Sequence, residues 1–354
     1  MKPQHSRNLD LLRAFAVMTV FCGHLFQTFV FHGNPIVGHI ARFGVMAFFV
    51  HTALVLMQSI ERLSDGGQRP STARFYIRRI FRIYPLAIAT TLAIFYFAIP
   101  SSPWLHFSRI SPGTLASNLL LVQNLARRPS VLAPFWTLPY EVQMYAFLPL
   151  CFWLVFKLRV NAIWLWIAGI LLYVPPVPFL RLIVQYFPCF LAGVWAYRRM
   201  RADGFKPLPQ SYWPVFLLGT CALYTALTTT VRWYVPAQSQ SLPLIVLDWL
   251  CSLAIGIAIP YFAERTAGWL SRAASTLAEY SYGVYLSHMP VMWFVLVKMA
   301  GQPLAWRIAV LTAGAVAIPV LAYHLLEKPL IDLGKQLTGG GREKRAVAQQ
   351  AAAA

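Results

Sequence analysis

Ten apolar runs, 16 to 23 residues long, divide this 354-residue chain at roughly 9–31, 36–58, 83–100, 140–157, 162–177, 180–197, 212–231, 242–262, 279–300 and 305–326. About 20 helical residues rise about 30 Å, the thickness of a bilayer's hydrocarbon core. Backbone N–H and C=O groups must be paired internally at that depth, so such runs are read as helices. The sequence therefore predicts an all-α fold: a polytopic integral membrane protein with about ten transmembrane helices. A further apolar piece at 114–125 is too short to cross. It reads as a re-entrant or interfacial helix, or as a buried part of a long loop.

The composition fits that fold. The chain is 58% hydrophobic and only 12% charged, where a soluble domain carries about 25% charged residues. The formal net charge of +19 invites comparison with nucleic-acid binders. Yet most of the lysines and arginines fall on one set of alternate connections, where they act as topology determinants facing an anionic leaflet. The expected partner is thus the lipid bilayer and not nucleic acid, with both termini cytoplasmic. No cleavable signal pattern is read at the N-terminus. The five cysteines lie in apolar runs without CxxC or metal-ligand spacing and read as small buried hydrophobes, so no metal site is expected. Residues 1–336 are expected to form the transmembrane domain. Residues 337–354, with their glycines, Arg342-Glu343-Lys344-Arg345 and Ala/Gln end, read as a disordered cytoplasmic tail.

Two ionisable residues interrupt the first run. Arg13 and His24 are eleven positions apart, close to three helical turns, so they share a face with a rise of about 16 Å between them. Ionisable groups at such depth usually face a bundle interior or a wet cavity. The plain alternative is that Arg13 snorkels to headgroups and His24 caps a helix–helix contact; the two readings start about even.

Other polar stretches tilt that balance. In Arg74-Phe75-Tyr76-Ile77-Arg78-Arg79-Ile80-Phe81-Arg82-Ile83-Tyr84-Pro85, Arg78 and Arg82 are i,i+4 neighbours and Arg79 and Arg82 are i,i+3 neighbours. Such a cluster suits phosphate groups, although on composition alone a topology-setting interfacial helix that touches anionic lipid is the favoured reading. Glu141 opens the fourth run after Phe135-Trp136-Thr137-Leu138-Pro139-Tyr140. A carboxylate at a helix N-terminus is favoured by the dipole, but it could also orient an imidazole or bind a hydroxyl. Weaker signals are Tyr280 to Pro290, which holds His288, and Tyr323 to Pro329, which reads equally well as a polar helix end. His51-Thr52 lies in mid-run, where an interhelical hydrogen bond is a sufficient explanation.

Together these stretches resemble the membrane-bound acyltransferase family 3. The resemblance rests on six motifs in order: Arg13 with His24; Phe48-Phe49-Val50; Arg79 and Arg82 before Tyr84-Pro85; Trp136-Thr137-Leu138 with Glu141; Ser281 to His288; and Glu327 with Pro329. Each is weak alone, and six in register, from Leu9 to Pro329, are strong. The chain departs from the family pattern at Ala14, where Gly is usual, at His51-Thr52-Ala53, where Leu-Ser-Gly is usual, and at Thr137, where Ser is usual.

The resemblance implies transfer of an acyl group, usually acetyl, from cytoplasmic acyl-CoA to a hydroxyl of a glycan or related cell-surface or secreted acceptor. It places the protein in the bacterial cytoplasmic (inner) membrane, with acyl-CoA as donor substrate and no permanently bound cofactor. Arg78, Arg79 and Arg82 would face the CoA phosphates. Arg13 would neutralise a phosphate or position the thioester-bearing arm. His24 would be general base or transient acyl carrier. Glu141 would hold the acceptor or fix the imidazole tautomer. Trp136, Tyr285 and His288 would be substrate-binding. The competing class is a transporter or flippase for a lipid-linked glycan, with Arg13 and His24 lining its path. The lack of internal repeats and of matched Gly/Pro-broken runs speaks against it.

Overall fold

A computed structural model describes residues 6–30, 35–64, 71–103, 105–175, 177–201 and 207–339. Residues 340–354, nearly all of the expected tail, lie outside the described residues, as do the first five residues and Pro176. The helices are α1 Arg7–Phe29, α2 Pro35–Arg62, α3 Thr72–Tyr96, α4 Pro112–Leu119, α5 Leu138–Phe156, α6 Ala162–Leu171 and α7 Pro178–Val184. They continue as α8 Phe187–Arg199, α9 Tyr212–Tyr234, α10 Ser241–Ala258, α11 Trp269–Trp293, α12 Leu304–Ala322 and α13 Lys328–Leu337. Among the described residues no strand forms, only an isolated bridge between Leu208 and Phe262. The chain is an all-α, polytopic membrane protein.

Among the described residues, eight helical segments are long and apolar enough to cross a membrane, and they cover eight of the ten expected runs. The other two runs are also helical, with qualifications. The 162–177 run yields only the ten residues of α6, about 15 Å of helix and half a hydrocarbon core. The 279–300 run belongs to α11, whose 25 residues are long enough but carry polar side chains such as Ser281 and His288. Both of these are buried within the bundle. The 180–197 run is broken into α7 and α8 at Gln185-Tyr186.

The arginine-rich stretch is not a separate interfacial piece. It forms the first turns of α3, which Ser71 caps by accepting a hydrogen bond from the Arg74 N–H, and the helix runs on through Pro85. The short 114–125 piece gives α4, held within the long connection between α3 and α5. Asn118 is fully buried there; it donates to the Pro129 carbonyl at 3.0 Å and accepts from the Val131 N–H at 3.0 Å. Of the expected possibilities, the buried loop segment matches these bonds best.

α2 packs against α1, α8 and α10, and α1 packs in turn against α11. Several close approaches depend on glycine, those of Gly44 and Gly193 among them. A Cβ on Gly44 would lie 2.5 Å from the Ala16 carbonyl oxygen of α1. One on Gly193 of α8 would lie 2.2 Å from the Val50 oxygen and 2.9 Å from the Ala53 Cβ. Gly193 thus supplies the room that lets Ala53 stand where the family pattern has Gly. α11 and α12 contain Pro290 and Pro319. Each proline precedes a π turn, at Phe294–Lys298 and Tyr323–Glu327. Proline removes an N–H and crowds the preceding carbonyl, which favours such local rewinding. The second turn brings Glu327 to α3.

Candidate active site

A cavity of about 110 Å³ opens inside the bundle. Its polar lining includes Arg13 from α1, His51 from α2, Arg79 and Arg82 from α3, Glu141 from α5 and Ser281 from α11. The first three helices therefore meet α5 and the sequence-distant α11 around one cavity. Helical periodicity explains the selection on α3. Arg79 and Arg82, three residues apart, share a face and both line the cavity. Arg78, a further 100° round, lies outside the lining, and its Nε donates to Thr338 Oγ1 beyond α13 at 2.8 Å.

The guanidinium groups differ in how they are held. Arg13 Nε donates to Ser281 Oγ at 2.6 Å. Arg82 is paired with Glu327, whose carboxylate is only 1% exposed, so the segment that read as a polar helix end closes the arginine side of the site. Arg79 Nε is buried without a hydrogen-bond partner among the described residues. Glu141 lies in the first turn of α5, as the dipole argument expected, and accepts a hydrogen bond from Tyr145. Three guanidinium groups thus share the cavity with one carboxylate, and Glu327 backs one of them. That surplus suits a multiply charged anion.

His24 does not line this cavity. It stands farther along α1, and its Nδ1 lies 3.0 Å from His288 Nε2 on α11. His288 Nδ1 in turn lies 3.1 Å from the Val284 carbonyl oxygen. Tyr285 joins the two regions. Its ring lines the cavity and lies 6.0 Å from the His288 ring. Its hydroxyl donates to the Pro134 carbonyl at 2.6 Å and meets Thr137 Oγ1 at 2.8 Å, which clamps the turn before α5.

Several sequence expectations are redrawn by this geometry. The partner of the His24 imidazole is His288, expected as a substrate contact, rather than Glu141. Trp136 is not part of the cavity wall. It packs in an aromatic cluster with Tyr186, ring centroids 5.1 Å apart, and with Tyr140 and Phe49, while its neighbours Thr137 and Leu138 face the cavity. His51 and Thr52 make no interhelical hydrogen bond among the described residues; both side chains line the cavity instead.

A second polar centre lies outside the candidates drawn from the sequence. Asp248 on α10 is fully buried and receives Arg42 Nε at 3.0 Å and Nη2 at 2.5 Å, with Tyr224 donating at 2.6 Å. The available signal was a lone carboxylate inside the apolar 242–262 run. This bidentate pair ties α2 to α10.

Fold and site define the class: a helical membrane protein whose bundle encloses a cationic cavity and, beside it, a coupled histidine pair. The chain belongs to the acyltransferase family Acyl_transf_3, whose acyltransferase domain matches residues 6–324. It is 28% identical to the acyltransferase MdmB of Streptomyces mycarofaciens, over 92% of this chain and 89% of that one. It is 24% identical to YrhL of Bacillus subtilis (strain 168), provisionally named a peptidoglycan O-acetyltransferase, over 93% of this chain and 56% of that one. It is 25% identical to nodulation protein 10 of Rhizobium leguminosarum bv. viciae, over 94% and 95%. No solved structure matches the chain.

Proposed function

We propose that this acyltransferase moves an acyl group, acetyl in the first instance, from acyl-CoA to a hydroxyl of a glycan or related cell-surface acceptor. The observation that carries this reading is the convergence of Arg13, Arg79 and Arg82 on one cavity, with a histidine displaced along the same helix. Eleven residues of α1 put about 16 Å between Arg13 and His24. Anionic group and reacting carbon therefore stand at different depths, which requires a donor with its phosphates at one end of an extended arm and its thioester at the other. Acyl-CoA is built that way.

In this reading Arg79 and Arg82 hold phosphate oxygens and Arg13 steers the arm past Tyr285. The acceptor hydroxyl gives its proton to His24 as its oxygen attacks the thioester carbonyl. The C–S bond breaks, the ester C–O bond forms, and the proton passes on to the CoA sulfur. A well-placed base contributes about 10²- to 10⁴-fold. The arginine end of α3 faces the cytoplasm, both termini lie on that side, and the membrane is the bacterial inner membrane. The arginine-rich connections support this orientation.

The test is release of CoA thiol from acetyl-CoA by membranes containing the wild type or His24→Ala, with and without a surface-glycan extract. Acceptor-dependent release by the wild type alone is the expected result. Near-normal release by His24→Ala removes the base assignment. A folded wild type that releases nothing from any acyl-CoA removes the donor.

A further inference from the structure

We propose that His288 is a positioning residue that fixes the tautomer of His24, so that His24 presents its Nε2 lone pair to the acceptor hydroxyl. This assignment rests on the reading of His24 as general base, and it follows from an ordered chain of donors and acceptors. The Val284 carbonyl oxygen can only accept, so His288 Nδ1, 3.1 Å away, carries a hydrogen. In a neutral imidazole the other nitrogen is then an acceptor. His288 Nε2 therefore accepts, and His24 Nδ1, 3.0 Å from it, donates. One nitrogen of His24 remains, Nε2, and it holds a free lone pair.

The ring geometry permits this. The two ring planes are within 18° of parallel and their centroids are 5.1 Å apart. That separation places the rings end to end, with the N–H···N contact near both ring planes, rather than face on face. The surroundings hold His288 in place. It is 1% exposed, and the rings of Phe21 and Tyr285 lie 6.4 Å and 6.0 Å from it. Its anchor, Val284, is four residues back on the same helix, so α11 itself sets the orientation of the chain. His24 is half-buried, more exposed than His288, which makes it the accessible member of the pair.

The arrangement follows the logic of a base oriented by a second group and that group by a third, with a neutral imidazole and a backbone carbonyl in the orienting roles. When His24 Nε2 takes the hydroxyl proton, the Nδ1–H bond to His288 persists and supports the imidazolium. When the proton is passed on, the same tautomer is restored. Without His288, either nitrogen of His24 can hold the hydrogen, and part of the population presents an N–H where a lone pair is needed.

Two variants and two readouts test this. His288→Phe keeps a ring of similar volume and removes the acceptor; His288→Gln places an amide oxygen near the position of Nε2. The expected result is that Phe lowers kcat about 10- to 100-fold, part of the roughly 10²- to 10⁴-fold that a positioned base contributes, with the donor KM unchanged and with Gln recovering most of the loss. A filler role would be met by Phe. If Phe keeps kcat within about twofold, or Phe and Gln fall alike, the assignment is overturned. The second readout does not need turnover: ¹⁵N spectra of histidine-labelled protein in nanodiscs. The wild type is expected to show His24 protonated at Nδ1 and bare at Nε2, with His288→Phe giving a mixture. A wild-type His24 protonated at Nε2 overturns the proposal. A correct tautomer in a protein without acyl-CoA activity overturns the donor assignment and leaves the positioning intact.

Discussion

Arg82 of α3 is paired with Glu327, the last residue of the π turn between α12 and α13. The two side chains are 20% and 1% exposed, so the pair is largely withdrawn from solvent. It joins a cavity-lining arginine to the end of the helical domain.

Removing one partner of such a pair leaves an uncompensated charge, at a cost of about 3–5 kcal/mol when fully buried. Because Arg82 retains some exposure, Glu327→Gln is expected near the lower end, about 3 kcal/mol. The double variant Arg82→Met/Glu327→Leu is expected to be more stable than either single one. Thermal unfolding in detergent checks this, and an unchanged Tm for Glu327→Gln would reduce the pair to a surface contact.

Arg78 and Arg79 are adjacent in sequence but engaged differently. Arg79 lines the cavity, and its Nε has no partner among the described residues, whereas Arg78 is bonded to Thr338. Hydrogen bonds to charged groups are worth about 1.5–3 kcal/mol. Arg79→Gln is therefore expected to raise the donor KM by about ten- to a hundredfold, and Arg78→Gln by less than about threefold. Steady-state kinetics over a salt series discriminates between them; equal effects would contradict the facing of α3.

His51 lines the cavity and makes no hydrogen bond among the described residues. Replacing it leaves no protein group orphaned, so His51→Leu is expected to keep the Tm. Loss of one hydrogen bond to bound substrate, about 1 kcal/mol, raises KM roughly five- to tenfold. A large fall in Tm with unchanged KM would show that His51 serves packing.

At the crossing of α2 and α8, Gly193→Ala forces a Cβ against the Val50 oxygen at 2.2 Å. Overpacking of this kind costs about 1–3 kcal/mol. A second change, Ala53→Gly, removes the contact at 2.9 Å but not the one at 2.2 Å, so the rescue is expected to be partial. Unfolding midpoints of the two variants decide it, and full rescue would place the strain on Ala53 alone.

The sequence by itself determined the elements and the chemistry available to them. Runs of about twenty apolar residues have only one way to satisfy their backbone in lipid, so the all-α membrane fold was legible. Arg13 and His24 stood out as candidates because ionisable groups are expensive inside such runs, Arg79 and Arg82 because helical spacing puts them on one face, and Glu141 because it heads the fourth run. Only the tertiary structure decided which of them meet. Periodicity places residues on a face of one helix, but not which helix that face will touch. It could not distinguish Arg79 from Arg78, or show that His24 is bonded to His288 rather than to Glu141. Nor could it show that Trp136 turns into an aromatic cluster while Thr137 faces the cavity. Those outcomes depend on contacts between segments far apart in the chain, where glycines such as Gly44 and Gly193 let helices approach closely enough for buried polar side chains to reach one another.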